Sequence, residues 1–278
     1  MVLAILQSLT TTQASIGICL EWRIPMRFIS ILLCGIIASW GNSGSTLSAR
    51  IPPPAGFERV PNTPHSFGEY LRTLPLKPPG SPVLYYNGEA KSNPNIYVAV
   101  VDLPIGKKDL HQCADAVMRL FAEYFYQQKM YEKIHFNFIS DSKPRYYLDY
   151  VKGDTSRPTF WKYMEYIFAS ANTRSLQQEL KPVPKYTDMR IGDVFIQTGN
   201  PYGHAILIVD VAKNPKTGET VFLLAQSYMP AQETQILSNQ NDDAISPWYA
   251  LDTLNPDIYT PEWLFHQKDL RRHKDITP

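Results

Sequence analysis

Apolar and polar positions follow two different periods along the chain, and the change between them separates its helices from its strands. From Asp109 to about Met130 the apolar residues recur at helical spacing, with Val117, Leu120 and Tyr124 on one face. Asp109 takes the N-cap position and Gln112, three residues on, completes a capping-box pattern. Thr159 to about Leu180 predicts a second long helix, stopped by Lys181-Pro182-Val183-Pro184. From Gly192 the period shortens to two. Val194–Thr198, His204–Val211, Thr220–Ser227 and Thr234–Leu237 read as strands of a β meander, divided by Gly199-Asn200-Pro201-Tyr202-Gly203 and Asn214-Pro215-Lys216-Thr217-Gly218. Val83–Tyr86, Ile96–Val101 and Ile134–Ile139 are further strand candidates. The tail, from Ser246 through His273, reads as aromatic and loop-like, packed across the domain. Helices first and an antiparallel sheet afterwards predict one α+β domain over residues 83–278.

Two segments precede that domain. Residues 42–82 are rich in proline (Ile51-Pro52-Pro53-Pro54, Leu76-Lys77-Pro78-Pro79) and read as extended, with a short helical turn at His65–Leu71. Residues 1–41 form a leader: Met26-Arg27 is a positive start, Phe28–Ala38 an apolar run and Ser39-Trp40-Gly41 a small-residue exit. That run falls well short of the about 20 residues a membrane span needs, so the pattern is a secretory signal peptide, with Met26 as an alternative start of translation. The expectation is an exported protein, periplasmic or associated with the cell envelope, with no integral membrane span. A lipid anchor through Cys34 ranks second, because Leu33 precedes it where a small residue is expected.

Charge and cysteine content narrow the chemistry. With 27 basic and 26 acidic residues and no basic stripe, nucleic acid is not an expected partner. No His-x-x-x-His, cysteine pair or carboxylate cluster stands at ligand spacing, and no glycine-rich phosphate loop is present. Neither a metal nor a cofactor is therefore expected. Of Cys19, Cys34 and Cys113, only Cys113 remains in a processed chain. As the fourth residue of a helix starting at Asp109, it sits where unpaired N–H groups favour a thiolate. The helical period places it equally well on an inward face with Val117 and Leu120, so position alone leaves a structural role open. Asp115, Arg119 and Glu123 form one charged stripe, expected first as a solvated salt-bridge ladder and second as a polar cleft wall. His135 and Asn137 share one strand face.

Three strings of the meander carry a resemblance. Gly192-Asp193-Val194-Phe195-Ile196, Pro201-Tyr202-Gly203-His204-Ala205-Ile206 and Phe222-Leu223-Leu224-Ala225-Gln226-Ser227 resemble the sheet of NlpC-type and CHAP-type cell-wall amidases and endopeptidases, papain-like cysteine hydrolases. The resemblance implies a papain-like antiparallel sheet packed against N-terminal helices. It implies His204 as general base, Gln226 as the residue that orients it, and a nucleophile from an earlier helix start, for which Cys113 is the cysteine available. The substrate so implied is an amide of peptidoglycan or a short peptide. A non-catalytic envelope module that binds glycan or peptide is the alternative. Over about residues 55–275, strings such as Gln112-Cys113-Ala114-Asp115-Ala116 and Ala225-Gln226-Ser227-Tyr228-Met229-Pro230 also resemble an exported bacterial family, domain of unknown function 4846. That second resemblance implies export and no particular activity.

Overall fold

The longest strand, His204–Lys213, is buried along nine of its ten residues, a pattern only a central position in a covered sheet allows. The computed structural model describes residues 46–255 and 257–276. The leader, with Met26 and Cys34, lies outside the described residues. His204–Lys213 pairs on one side with Val194–Gln197 and on the other with Thr220–Gln226, both antiparallel. Outward from the first of these lie Leu270–Arg272 and then Lys181–Pro182; outward from the second lie Gln235–Leu237 and then Tyr97–Val100. Glu58–Arg59 and Tyr249–Ala250 attach to the two central strands. A mixed α+β architecture around a large antiparallel sheet results.

The helix Cys113–Gln127 packs against the His204 strand. Every residue from Cys113 to Phe125 is buried, the polar ones included. The proline-rich segment supplies part of its cover. Phe67–Arg72 is helical, capped by Ser66 Oγ accepting from the Glu69 N–H at 3.2 Å. The Phe67 ring meets Phe121 tilted and Tyr124 edge-on, at centroid distances of 5.2 and 5.3 Å, and Leu71, Leu74 and Leu76 are buried in the same core. Apolar side chains between the prolines thus enter the same core as the sheet.

Several elements differ from expectation, each for a local reason. The long helix begins at Cys113 rather than after Asp109. Asp109 instead accepts the Ala231 N–H at 2.7 Å, and Asp115 Oδ2 accepts the N–H of Gln112, the actual N-cap, at 3.0 Å. The expected second helix is two, Arg157–Phe168 and Thr173–Glu179. Asn172 starts the latter by accepting from the N–H groups of Arg174 and Ser175, while the Ser170 carbonyl accepts from the Ile139 N–H. Around Val83–Tyr86 only isolated bridges form, from Leu84 to Ala90 and from Tyr85 to Gln232. The tail is not loop-like throughout. Asp257–Tyr259 and Leu264–His266 form a hairpin, and Leu270–Arg272 enters the main sheet.

Candidate active site

Gly203 sets the start of the His204 strand. A Cβ there would stand 2.3 Å from the Gln197 carbonyl oxygen and 2.7 Å from Thr173 Oγ1, so only glycine lets the chain turn in so closely. The other half of the frame, Gly192-Asp193, is structural. Gly192 has φ +89° with Phe67 against it, and Asp193 takes both Nε and a terminal nitrogen of Arg272, at 2.6 and 2.7 Å. That ion pair ties the tail strand to the sheet.

His204 is 1% exposed. Its Nε2 lies 2.9 Å from Gln226 Oε1. Tyr228, Trp263 and Phe265 surround the ring at centroid distances of 4.7, 5.2 and 5.8 Å. Burial lowers its pKa to about 4, against the opposing hydrogen bond to Gln226 Oε1. The ring is neutral at physiological pH.

Cys113 is the first residue of its helix, 5% exposed. Its sulfur lies 4.0 Å from the Gly203 carbonyl oxygen and also meets the Ala205 amide, the backbone groups that flank His204. Among the described residues no hydrogen bond joins the sulfur to the His204 ring. The helix start does not produce the lowered thiol pKa expected of it. Burial and the nearby Asp115 carboxyl together push Cys113 up to about 11, outweighing the helix-terminal N–H groups. The structure therefore brings the three expected residues to one strand end, with thiol and imidazole both neutral.

A cleft of about 270 Å³ opens on the Cys113 side, lined by Asp109, Gln112, Asn172, Thr173 and Tyr202 among others. His204 and Gln226 do not line it. The charged stripe is not a solvated ladder. Asp115, Arg119 and Glu123 are 6, 3 and 1% exposed. Arg157 makes two 2.6 Å bonds to Glu123, and Arg119 reaches the Pro104 carbonyl oxygen at 2.6 Å beneath Trp161. Only Asp115 of the three reaches the cleft wall. His135 pairs loosely with Glu179, at 3.5 Å, away from the cleft.

The family described as "Domain of unknown function (4846)" matches residues 47–156 and 145–272. The chain belongs to that family. Its matched span takes in every element that positions Cys113, His204 and Gln226. No curated protein and no solved structure matches the chain. Among the described residues no helix is long and apolar enough to cross a membrane, and no group of three or more His, Cys, Asp or Glu residues is arranged to hold a metal ion.

Lys91, Glu262, Tyr228 and Trp263 also belong to this site, and sequence reasoning missed them. Lys91, Glu262 and Trp263 lie far from the motifs in the chain, a lone Lys or Glu carries no periodic signal, and Tyr228, beside the Gln226 motif, carried no sign that its ring faces His204. The aromatic Trp263-Leu264-Phe265 run was the one visible sign, and it now forms the wall behind His204.

Proposed function

We propose that the protein is an exported, papain-like cysteine hydrolase that cleaves amide bonds of peptidoglycan or short peptides. Cys113 is the nucleophile, His204 the general base and Gln226 the orienting residue. The observation that carries this reading is the Gln226-held imidazole at the strand end whose flanking backbone contacts the Cys113 sulfur. A base oriented by a third group, with a helix-start thiol beside it, is the arrangement nucleophilic acyl transfer needs.

The chemistry starts from a neutral pair. When an amide enters the cleft, the sulfur rotates from Gly203 toward His204 Nδ1 and gives up its proton as it attacks the carbonyl carbon. The new S–C bond places negative charge on the carbonyl oxygen, beside the unpaired N–H groups of the helix's first turn. Collapse breaks the C–N bond, and the amine leaves with the proton held by His204. Water, deprotonated by His204, then cleaves the thioester and restores the thiol. Polar side chains at the cleft, among them Gln112, Asn172 and Thr173, suit a peptide backbone better than an apolar ligand.

The burial of both groups favours a second reading, a peptide- or glycan-binding module whose cysteine is inert. Incubating wild type, Cys113→Ala and His204→Ala with peptidoglycan and short peptides separates the two. The hydrolase reading expects cleavage by wild type, a loss of at least about a hundredfold in each variant, and an acyl or alkyl adduct on Cys113 by mass spectrometry. Binding that survives Cys113→Ala, with no cleavage by wild type, establishes the module instead.

A further inference from the structure

Behind Gln226 lies a polar chain that the triad itself does not need. Gln226 Nε2 donates to Glu262 Oε2 at 2.6 Å. The same oxygen accepts from the Lys91 ammonium at 2.8 Å, and Lys91 also donates to Gln232 Oε1 at 2.8 Å. Gln232 Oε1 accepts from Gln235 Nε2 at 3.1 Å. The Lys91 side chain is 4% exposed and that of Glu262 22%. Burial lowers the pKa of Lys91, while its bond to Glu262 opposes that change. An ammonium only donates, so the Glu262 oxygen facing it is an acceptor.

That polarity propagates. An acceptor at Glu262 requires the Gln226 amide to present its NH2 there, which turns Oε1 toward His204. An oxygen facing His204 Nε2 requires that nitrogen to carry the proton. The lone pair is then left on Nδ1, which makes no hydrogen bond among the described residues. A flipped Gln226 would reverse each step and leave Nδ1 protonated, unable to take a proton from a thiol.

We infer that Glu262, held by Lys91, is a positioning residue that sets the tautomer of His204 through the orientation of the Gln226 amide. The role rests on the hydrolase reading for its purpose but not for its measurement. Because tautomers are visible without turnover, failure of this inference and failure of the hydrolase reading are separable.

The test is nitrogen-15 NMR of the imidazole in the full folded chain, well above pH 4, with the protonated ring nitrogen identified through its couplings to the ring carbon-bound protons. Wild type is expected as the Nε2–H form. In Glu262→Ala, and in the bulkier Glu262→Met, the amide is free to turn. The ratio of Nε2–H to Nδ1–H is then expected to fall about tenfold, the worth of one hydrogen bond. A wild-type Nδ1–H form overturns the inference without any variant, so poor folding of a variant does not shield it. An unchanged ratio in a folded Glu262 variant overturns it as well. The expected tautomer shift in a protein that cleaves nothing would support the positioning role while sinking the hydrolase.

Discussion

The sulfur of Cys113 lies 4.0 Å from the carbonyl oxygen of Gly203, so the first residue of the central helix touches the first turn into the central strand. Two elements ninety residues apart in the chain are locked together there. The contact depends on a glycine on one side and a small side chain on the other.

Gly203→Ala is expected to destabilise the protein by about 1–3 kcal/mol, the usual cost of forcing an extra methyl group into a packed site. The added Cβ meets a backbone oxygen, which cannot move aside as a side chain can. Urea unfolding measures the change. A value within about 0.5 kcal/mol of wild type would show that the strand start has room the contacts deny.

Alkylation of Cys113 should be slow in the folded protein near neutral pH and should keep rising past the range of an ordinary thiol, toward about 11. The same shift has a stability consequence. The folded pKa lies above the reference of 9.0, so this contribution to stability is intact below about 9 and is lost as pH rises through about 11. An iodoacetamide rate profile on folded and unfolded protein tests both points. A plateau near pH 7 in the folded state would show a preformed thiolate and refute the neutral pair.

Three buried histidines should make the protein acid-sensitive. Burial holds His204 and His273 near 4 and His111 near 3. Each folded pKa lies below the reference of 6.5, so the unfolded chain takes up protons first. Their contribution is complete above about 6.5 and falls away as pH drops toward 4. Asp115 and Asp193, both raised by burial, act with the opposite sign, two groups against three. The denaturation midpoint is expected to fall between pH 6.5 and 5, and a flat profile there would contradict the burial of these rings.

Arg272→Ala should cost about 2–3 kcal/mol. It leaves Asp193, 1% exposed, without its cation; the figure sits below the about 3–5 kcal/mol of a fully buried pair because Arg272 is 25% exposed. Thermal unfolding reads the loss. Recovery of stability in Arg272→Ala combined with Asp193→Asn would show that the stranded carboxylate carries the cost, whereas equal losses in single and double variants would point to packing.

Much of the fold was legible in the chain because the signals are local. The His204–Val211 and Thr220–Ser227 periods, broken by Asn214–Gly218, are sufficient for an antiparallel hairpin, and residues 215–218 are exposed at its turn. The tail strand was not legible. Leu270–Arg272 is short and two of its three residues are charged, and only its pairing with Val194 and Phe195 on one side and Lys181 and Pro182 on the other makes it a strand. Nor was the irregularity beyond Ile208 legible, where a bulge interrupts the register and the Asp210 carboxylate takes Arg59 and Arg72, each at 2.6 Å.

By itself the sequence determined the local elements: a cysteine in the first turn of a helix, a Gly-His strand opening, and a glutamine on the next strand; that the three belong together was implied by the resemblance to the cell-wall amidases. Hydrophobic period and glycine placement are properties of neighbouring residues, so no tertiary knowledge was required. Only the tertiary structure decided the electrostatics. Helix Arg157–Phe168 supplies Arg157 and Trp161 to the charged stripe of the central helix, and the tail closes over His204. At Cys113, desolvation reversed the thiol shift expected from the helix dipole. A dipole acts within one turn, whereas burial depends on everything packed around the group, and in this site burial is the larger effect.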